Sequence, residues 1–426
     1  DRRAIVRICR LVDGLPLAIE LAAAWVRLLS CAEIAGEIEC NIDFLTGATR
    51  DMPRRHQSLR AVFYHSWNLL SGEERRVLGR LAVFQGGFER EAAEQVAAAS
   101  LRSLSALVDK SLVRLQKGGR YDLLEVVRQY ALAGPGGDPQ YGATRDRHSA
   151  YYLALLSDRE AALKSAAQRE TIRRLTDEID NIRAAWSWAV QHGRLAALEP
   201  GLRPFGWLYE MRGWFDEGLM QLELVAAACR ARPGDEAGRR VLGQALAQQG
   251  LLLFRQGHFD RAQALLQESL ALLRPFADPA LLLDPLVFSG VILFLDGSID
   301  AAQRLFGECL ACARAAGEPW FAAYALHNLG YVAGLSGRDE AGYEQMLAAV
   351  SQWRALGDPR STALGLNYIS PAAIRLGRLD AAQAFLEESL GLCTQVGDRW
   401  GMATAYRHQG LLALARGDLD RAQALL

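Results

Sequence analysis

The chain has 426 residues, half of them hydrophobic, so it can bury an extensive core and falls outside the disordered class. Its 48 Lys and Arg residues balance 49 Asp and Glu residues, which argues against binding of a polyanion by the whole chain. No stretch approaches the ~18 apolar residues of a membrane span, and the first residues lack the apolar segment of a secretory signal. Seven scattered cysteines form no disulfide framework, so we expect a soluble, cytoplasmic protein.

Both ends of the sequence predict that it is an excerpt from a longer protein. The first residue is Asp1 rather than Met, and the last residues, 421–426, stop inside a predicted helix. At this length the chain has room for about two to four domains.

A short loop and an apolar helix are predicted near the start of the chain. The phrase Gly14-Leu-Pro-Leu-Ala18 leads into the apolar residues that continue to Trp25. Proline is tolerated in the first turn of a helix, where its nitrogen needs no hydrogen-bond partner. There Pro16 presents a flat face without a donor, which is suited to the base or sugar of a nucleotide.

Several helices followed by a hairpin are predicted over residues 54–133. Apolar residues between Leu59 and Trp67 have helical spacing, and Ser71 followed by Glu74 is a capping box for the next helix. The remaining predicted elements are helices at 88–99 and 101–110, strands at 111–115 and 120–124, and a last helix that ends at Ala133. This order predicts a winged helix.

A linker and a helical connector are predicted next. Residues 134–144 include Gly134-Pro-Gly-Gly-Asp-Pro139, a composition that suits either a hinge of a switch or a plain tether. The connector, 145–232, contains the phrase Asp180-Asn181-Ile-Arg183-Ala-Ala185.

Residues 233–426 contain a 40-residue repeat. The positions that recur most regularly are the glycines at 257, 297, 337, 377 and 417. Each glycine lets the chain leave a helix through left-handed backbone, and the Asp or Glu three residues later is placed to cap the next helix. Small residues at 250 and 262, and at the equivalent positions of the other repeats, permit close approach of the helices. Each period therefore predicts two helices, and together they predict an α-solenoid that is truncated at its C-terminus.

This pattern resembles the tetratricopeptide repeat, lengthened by about six residues from the usual ~34. The resemblance assigns the first helix of every pair to a concave binding groove. The residues that it places there are Gln244, Phe254, Arg255, Asp284, Phe294, Tyr324, His327, Tyr331, Asn367, Arg375, Thr404 and Arg407. Their aromatic and hydrogen-bonding groups suit a protein, peptide or small ligand, although packing between repeats is an equal alternative for any one of them.

The first half resembles the signal-transduction ATPases with numerous domains, the NB-ARC-like class of bacterial regulators. The phrases that carry this resemblance are Gly14-Leu-Pro-Leu-Ala18, Ser66-Trp-Asn-Leu-Leu-Ser71, Leu81-Ala-Val-Phe84-Gln-Gly-Gly-Phe88, Leu107-Val-Asp-Lys-Ser-Leu112, Leu123-Leu-Glu-Val-Val-Arg-Gln-Tyr-Ala131 and Asp180-Asn181 with its neighbours. The resemblance implies that residues 1–53 are the helical lid of an ATPase module and that Pro16 lines the nucleotide. It also implies ADP or ATP with magnesium for the parent protein. Tyr121 and Asp122 stand where the family has a phosphate-sensing His-Asp pair.

The chain itself lacks the residues for ATP hydrolysis. It contains no Gly-x4-Gly-Lys-Ser/Thr loop, and no strand ending in paired acidic residues precedes Gly14. We therefore expect neither enzyme activity nor a cofactor or metal site from this chain alone. Cys309 and Cys312 lie within one predicted helix without a second ligand pair, which favours a packing role.

DNA binding is an alternative function for the predicted winged helix. Residues 54–133 carry 13 basic and 8 acidic residues, and the hairpin offers Arg114, Lys117 and Arg120 to a DNA backbone. The candidate recognition helix, 101–110, carries no Asn or Gln for base edges, so packing against a nucleotide-binding module is the favoured role.

We expect the chain to be the regulatory and sensing part of an ATP-dependent signal-transduction switch. The repeats would bind an effector and control an upstream nucleotide-binding module that is absent from this chain. A passive protein-interaction scaffold is the second alternative. No membrane partner is expected.

Overall fold

The computed structural model describes residues 2–12, 14, 16–40, 67–133, 140–232 and 235–425. The chain is mainly α-helical and ends in a solenoid of paired helices, as the sequence predicts. It divides into two compact units, residues 1–153 with 177–188 and residues 154–176 with 189–426. The segment predicted as a connector, 145–232, therefore contributes to both units.

The first unit begins with three helices, α1 (Arg2–Leu11), α2 (Pro16–Ala24) and α3 (Cys31–Cys40). Gly14 has a φ of 66° between α1 and α2, which is the left-handed backbone that glycine adopts readily. The apolar helix predicted after Gly14 is confirmed. It packs with the other two around a small core formed by Ile8, Val12, Ala18, Leu21, Ala22, Ile34, Ala35 and Ile38.

The next elements are helices followed by a two-stranded hairpin. They are α4 (Gly72–Leu81), α5 (Arg90–Ala97), α6 (Leu101–Asp109), β1 (Arg114–Leu115), β2 (Tyr121–Asp122) and α7 (Glu125–Ala133). The predicted capping box is confirmed, since the Ser71 hydroxyl accepts from the backbone N–H of Glu74. The helix predicted between Leu59 and Trp67 lies outside the described residues except for Trp67.

The helix predicted over 88–99 begins later than expected, at Arg90. Phe88 cannot join it because its backbone pairs with Tyr121 in both directions, with N···O distances of 2.8 Å each. The segment before α5 thus becomes a third pairing partner at the edge of the hairpin.

Further helices lead to the repeats. They are α8 (Tyr141–Ser157), α9 (Glu160–Leu163), α10 (Gln168–Asp177), α11 (Ile179–Gln191), a 3-10 helix (Leu195–Gly201), α12 (Leu202–Arg212) and α13 (Phe215–Arg230). Of the predicted linker, 134–144, the part at 134–139 lies outside the described residues, and 141–144 belong to α8.

Five helix pairs follow, at the predicted period. They are α14 (Glu236–Arg255) with α15 (Phe259–Leu273), α16 (Leu283–Leu295) with α17 (Ile299–Ala316), α18 (Pro319–Leu335) with α19 (Asp339–Leu356), α20 (Pro359–Arg375) with α21 (Leu379–Val396), and α22 (Arg399–Ala415) with α23 (Leu419–Leu425). The five glycines of the repeat have φ between 72° and 83°, which confirms the predicted left-handed exits.

The acidic residues of the repeat differ from the prediction in their role. Asp260, Asp300 and Asp380 lie in the first turn of each second helix, where they complement the helix dipole without forming a capping hydrogen bond. Hydrogen-bonded caps are found instead at first helices, where Asp358 and Asp398 accept from backbone N–H groups of the first turn.

Small residues allow the two helices of a pair to touch. A Cβ atom added at Gly330 of α18 would lie 2.7 Å from the carbonyl oxygen of Gly342 in α19. Cys309 is fully buried in α17 with its Sγ 3.8 Å from the Leu283 carbonyl oxygen, and burial raises the pKa of its thiol. Among the described residues, no cluster of His, Cys, Asp and Glu could hold a metal ion.

Candidate functional site: the first-helix face of the repeats

The first helices of the pairs, α14, α16, α18, α20 and α22, carry all the residues predicted to line a groove; we call their shared surface the first-helix face. Helix α12, which precedes the repeats, lies against this face. The contacts come from Arg203, Trp207 and Glu210. These residues are four and three positions apart, so they project from one side of the helix.

Arg203 binds the second repeat. Its Nε donates to the Asp284 carboxylate at 2.6 Å, and its Nη2 donates to the Ala280 carbonyl at 2.9 Å. Glu160 of α9 lies 3.3 Å from the same guanidinium and 2.8 Å from Lys164, which in turn reaches Glu318 of the third repeat at 3.2 Å. Acidic and basic side chains that alternate in this network therefore connect α9 and α12 to the repeats.

Trp207 binds the third repeat through its ring. The ring centroid lies 4.8 Å from that of Trp320 and 5.9 Å from that of Phe321. The Lys164 ammonium lies 5.2 Å from the Trp207 centroid, within the range of a cation–π contact. Trp207 is buried as a result.

Glu210 joins the first and fourth repeats. Its carboxylate accepts from Arg360 at 2.6 and 2.8 Å in a two-pronged contact, and the Arg255 Nε lies 2.7 Å from one of the same oxygens. Burial would raise the pKa of this carboxyl, but the charges of Arg255 and Arg360 outweigh it and lower the pKa to about 2. Glu210 therefore remains an anion held between two guanidinium groups.

Three of the predicted groove residues contact this preceding segment of the chain. Asp284 accepts from Arg203 and Arg255 pairs with Glu210. The Gln244 amide donates to Glu199 at 3.2 Å. The structure places these residues on first helices, and their partners belong to the same chain.

Three other predicted residues are buried between repeats. The Asn367 amide donates to the Gly401 carbonyl, and its oxygen accepts from the Ser389 hydroxyl. His327 packs against Trp353, and burial lowers the pKa of its imidazole to about 4. The Thr404 hydroxyl donates to a carbonyl of its own helix. For these residues the structure supports the packing alternative.

The predicted aromatic residues are half-buried and pack in two groups. Phe254 lies near Phe288, whose ring lies 6.4 Å from that of Tyr324. Phe294 and Tyr331 are 5.3 Å apart, centroid to centroid. Arg375 pairs with Asp339 at 2.7 Å, while Arg407 contacts the neighbouring His408.

Sequence reasoning missed several members of the site. Arg203 and Glu210 precede the repeats and carry no periodic signal. Arg360 and Trp320 occupy the same position of the 40-residue period, just after the prolines of the interrepeat loops, so the repeat pattern could have flagged them. Tyr368, which contacts Tyr331 at 5.5 Å, is the period equivalent of Phe288.

The residues assigned to nucleotide binding lie in the first unit. Pro16 is the first residue of α2, as expected, and its side chain lies outside the described set. Tyr121 is buried and stacked on Phe88 with centroids 6.1 Å apart, and Asp122 accepts from the Gln116 amide at 3.0 Å. Tyr121 thus packs the hairpin onto the preceding segment.

Some of the basic residues proposed for DNA binding are exposed, and others form ion pairs within the chain. Arg114 and Lys117 are exposed on the hairpin. Arg120 instead pairs with Glu178 and donates to the Gly87 carbonyl at 2.8 Å, so the expectation that it faces a DNA backbone is not met. Lys110, the residue that follows α6, pairs with Glu74 at 2.6 Å.

The chain is similar in sequence to curated mycobacterial proteins and in fold to a solved archaeal structure. No protein-family model matches the chain. A Mycobacterium tuberculosis protein named "Putative HTH-type transcriptional regulator" is 37% identical over 304 residues, which cover 66% of this chain and 33% of the relative. An uncharacterized protein of the same species is 44% identical over 136 residues, or 29% of this chain and 35% of its own length. The chain thus spans about a third of the length of these curated relatives.

A solved structure shares the fold. It is a signal transduction ATPase with numerous domains that has a tetratricopeptide repeat sensor, from Pyrococcus horikoshii. The two chains superpose with a TM-score of 0.54 at 15% identity, over 95% of this chain and 64% of the other. In the described part of this chain, no helix is both long and apolar enough to cross a membrane. The likeness shows that this chain shares a helical-repeat fold with that sensor protein.

Proposed function

We propose that this chain is the sensing and regulatory portion of an ATP-dependent transcriptional switch. Its repeats bind an effector through the first-helix face, and occupancy of that face controls a nucleotide-binding module outside this chain. The chain itself hydrolyses no ATP. The ADP or ATP of the parent protein, with magnesium, is held mainly by the outside module, with Pro16 at its edge.

The observation that carries the proposal is the position of α12. This helix covers charged and aromatic groups of four successive repeats, from Arg255 to Arg360, although it belongs to none of them. In this proposal the face has two states, one covered by α12 and one open. An effector that binds only the open face shifts the population toward it.

The link to a nucleotide is supported by the first unit and by the comparisons. Gly14 and Pro16 stand at the start of α2, as the resemblance to the ATPase class requires. In this proposal α4 to α7 and the hairpin form a winged helix that docks on the nucleotide-binding module. The relatives named as transcriptional regulators are about three times longer than their match to this chain.

The test is made on the full-length protein. Hydrogen exchange of residues 236–375 is compared in ADP and in a non-hydrolysable ATP analogue. A switch predicts that exchange on the first-helix face changes with the nucleotide, because coupling between two sites is reciprocal. Identical exchange in both nucleotides, with nucleotide binding verified, would reduce the repeats to a passive scaffold.

The DNA alternative has its own readout. Retention of duplex DNA by the full-length protein, with a steep dependence on salt that disappears after charge reversal at Arg114 and Lys117, would assign the hairpin to DNA instead. The pairing of Arg120 and Lys110 with acidic residues argues against that role.

A further inference from the structure

Arg255 and Arg360 form a binding pocket for one carboxylate. They come from the first and fourth repeats; Arg360 contacts both carboxylate oxygens of Glu210, and Arg255 contacts one of them. The Glu210 side chain is 6% exposed, so the carboxylate is almost completely withdrawn from water. The planar guanidinium group recognises a carboxylate through two parallel hydrogen bonds, and this recognition does not depend on what carries the carboxylate.

The present occupant comes from outside the repeats. Glu210 is 150 residues away from Arg360 in sequence and lies on α12, so the pocket is built by the repeats and filled by another segment. If α12 withdrew, the two guanidinium groups would lose the carboxylate that they share. Their mutual repulsion would then favour the binding of another anion.

We propose that Arg255 and Arg360 are a carboxylate-recognition site of the first-helix face, and that Glu210 is a built-in occupant which a carboxylate-bearing effector replaces. The exchange conserves the charge and the hydrogen bonds of the pocket, so it costs little in electrostatic energy and leaves the effector's other contacts to decide the outcome. The assignment of this carboxylate site as the effector site rests on the function proposed above.

A chemical rescue experiment tests the site in this chain. Glu210→Ala removes the internal carboxylate and is expected to lower the unfolding midpoint of the repeats by about 10 °C. Acetate at 100 mM should then raise this midpoint by about 3–8 °C relative to chloride at equal ionic strength, as linkage gives for a dissociation constant of about 1–10 mM. If the variant folds poorly in chloride, the yield of folded protein after refolding in acetate is compared with the yield in chloride instead.

Two further probes distinguish the sources of the carboxylate. Tetra-alanine with a free C-terminus and its C-terminal amide are compared in the Glu210→Ala variant. Rescue by the free acid but not the amide identifies a chain terminus as an acceptable occupant. Rescue by acetate alone restricts the site to small organic acids.

The matched control is a two-pronged pair on the surface. Arg354 and Glu388 also pair through two contacts but are 39% and 40% exposed, so Glu388→Ala should show no preference for acetate over chloride. Adding Arg360→Ala to Glu210→Ala should abolish the rescue. If neither acetate nor the free-acid peptide stabilises Glu210→Ala more than chloride does, the site admits no external carboxylate and the inference is wrong. This outcome would leave the nucleotide coupling of the full-length protein as a separate question.

Discussion

At the residue scale, buried polar side chains fix the path of the backbone. Asn181 is 1% exposed, and its amide accepts from the Gln85 N–H at 2.8 Å and donates to the Gly87 carbonyl at 2.9 Å. It therefore holds the Gly86-Gly87 turn against α11. This gives a physical reason for the Asp180-Asn181 phrase that the sequence singled out.

Replacing Asn181 with Ala should lower the free energy of unfolding of the first unit by about 1–3 kcal/mol, because the part-buried N–H of Gln85 loses its partner and the Gly87 carbonyl keeps only its hydrogen bond from Arg120. Urea denaturation followed by tryptophan fluorescence measures the change. Asn68 is exposed, so Asn68→Ala is the control and should change this free energy by less than about 0.5 kcal/mol. Equal effects of the two substitutions would contradict the role given to Asn181.

His327 makes stability depend on pH. Burial lowers the pKa of its imidazole from 6.5 to about 4, so between these values the unfolded chain binds a proton that the folded chain does not. Its contribution to stability is therefore complete above about pH 6.5 and falls by about 3 kcal/mol as the pH drops to about 4.

The variant His327→Gln should flatten the fall in the free energy of unfolding of the repeats between pH 7 and 4.5, measured by urea titrations at each pH. The control is His258→Gln, which removes an exposed imidazole and should keep the wild-type slope. A His327→Gln slope as steep as the wild type would show that other groups cause the loss.

At the element scale, contact between helix backbones sets the geometry of a repeat. Gly330 and Gly342 meet at the crossing of α18 and α19, where an added Cβ would press on backbone and could not be relieved by moving a side chain. The sequence marked both positions as small, and the reason is visible in this contact.

Gly342→Ala should lower the free energy of unfolding by about 1–3 kcal/mol, since the two helices must separate. Gly307→Ala is the matched control: it lies inside α17 with open space around its Cα, so alanine should stabilise the repeats by about 0.5–1 kcal/mol. Thermal and urea denaturation of both variants provide the comparison. Two changes of the same sign would contradict the assignment of a tight crossing at Gly342.

At the scale of the whole molecule, α12 departs from the behaviour of a simple solenoid. In a stack of repeats each unit contacts its neighbours, so a substitution in one repeat acts locally. Glu210 adds a direct link between the first and fourth repeats through Arg255 and Arg360.

Arg360→Ala should therefore speed the hydrogen exchange of α12, residues 202–212, although these lie far away in sequence. Arg354→Ala belongs to the neighbouring repeat and breaks a surface pair with Glu388, so it should leave α12 unchanged. Hydrogen exchange followed by mass spectrometry measures both. Unchanged exchange of α12 in Arg360→Ala would show that Glu210 does not couple the first and fourth repeats.

The sequence by itself determined the helical class, the 40-residue period, the left-handed glycines and the capping box at Ser71. These features are local or periodic, so each depends on a few residues within one segment or on their recurrence at a fixed spacing. Only the tertiary structure decided that Arg203, Trp207 and Glu210 cover this face, and that Arg120 pairs with Glu178. A charged residue in the sequence does not identify its ion-pair partner, because any arginine can pair with any carboxylate. Only the fold decides which two are brought together.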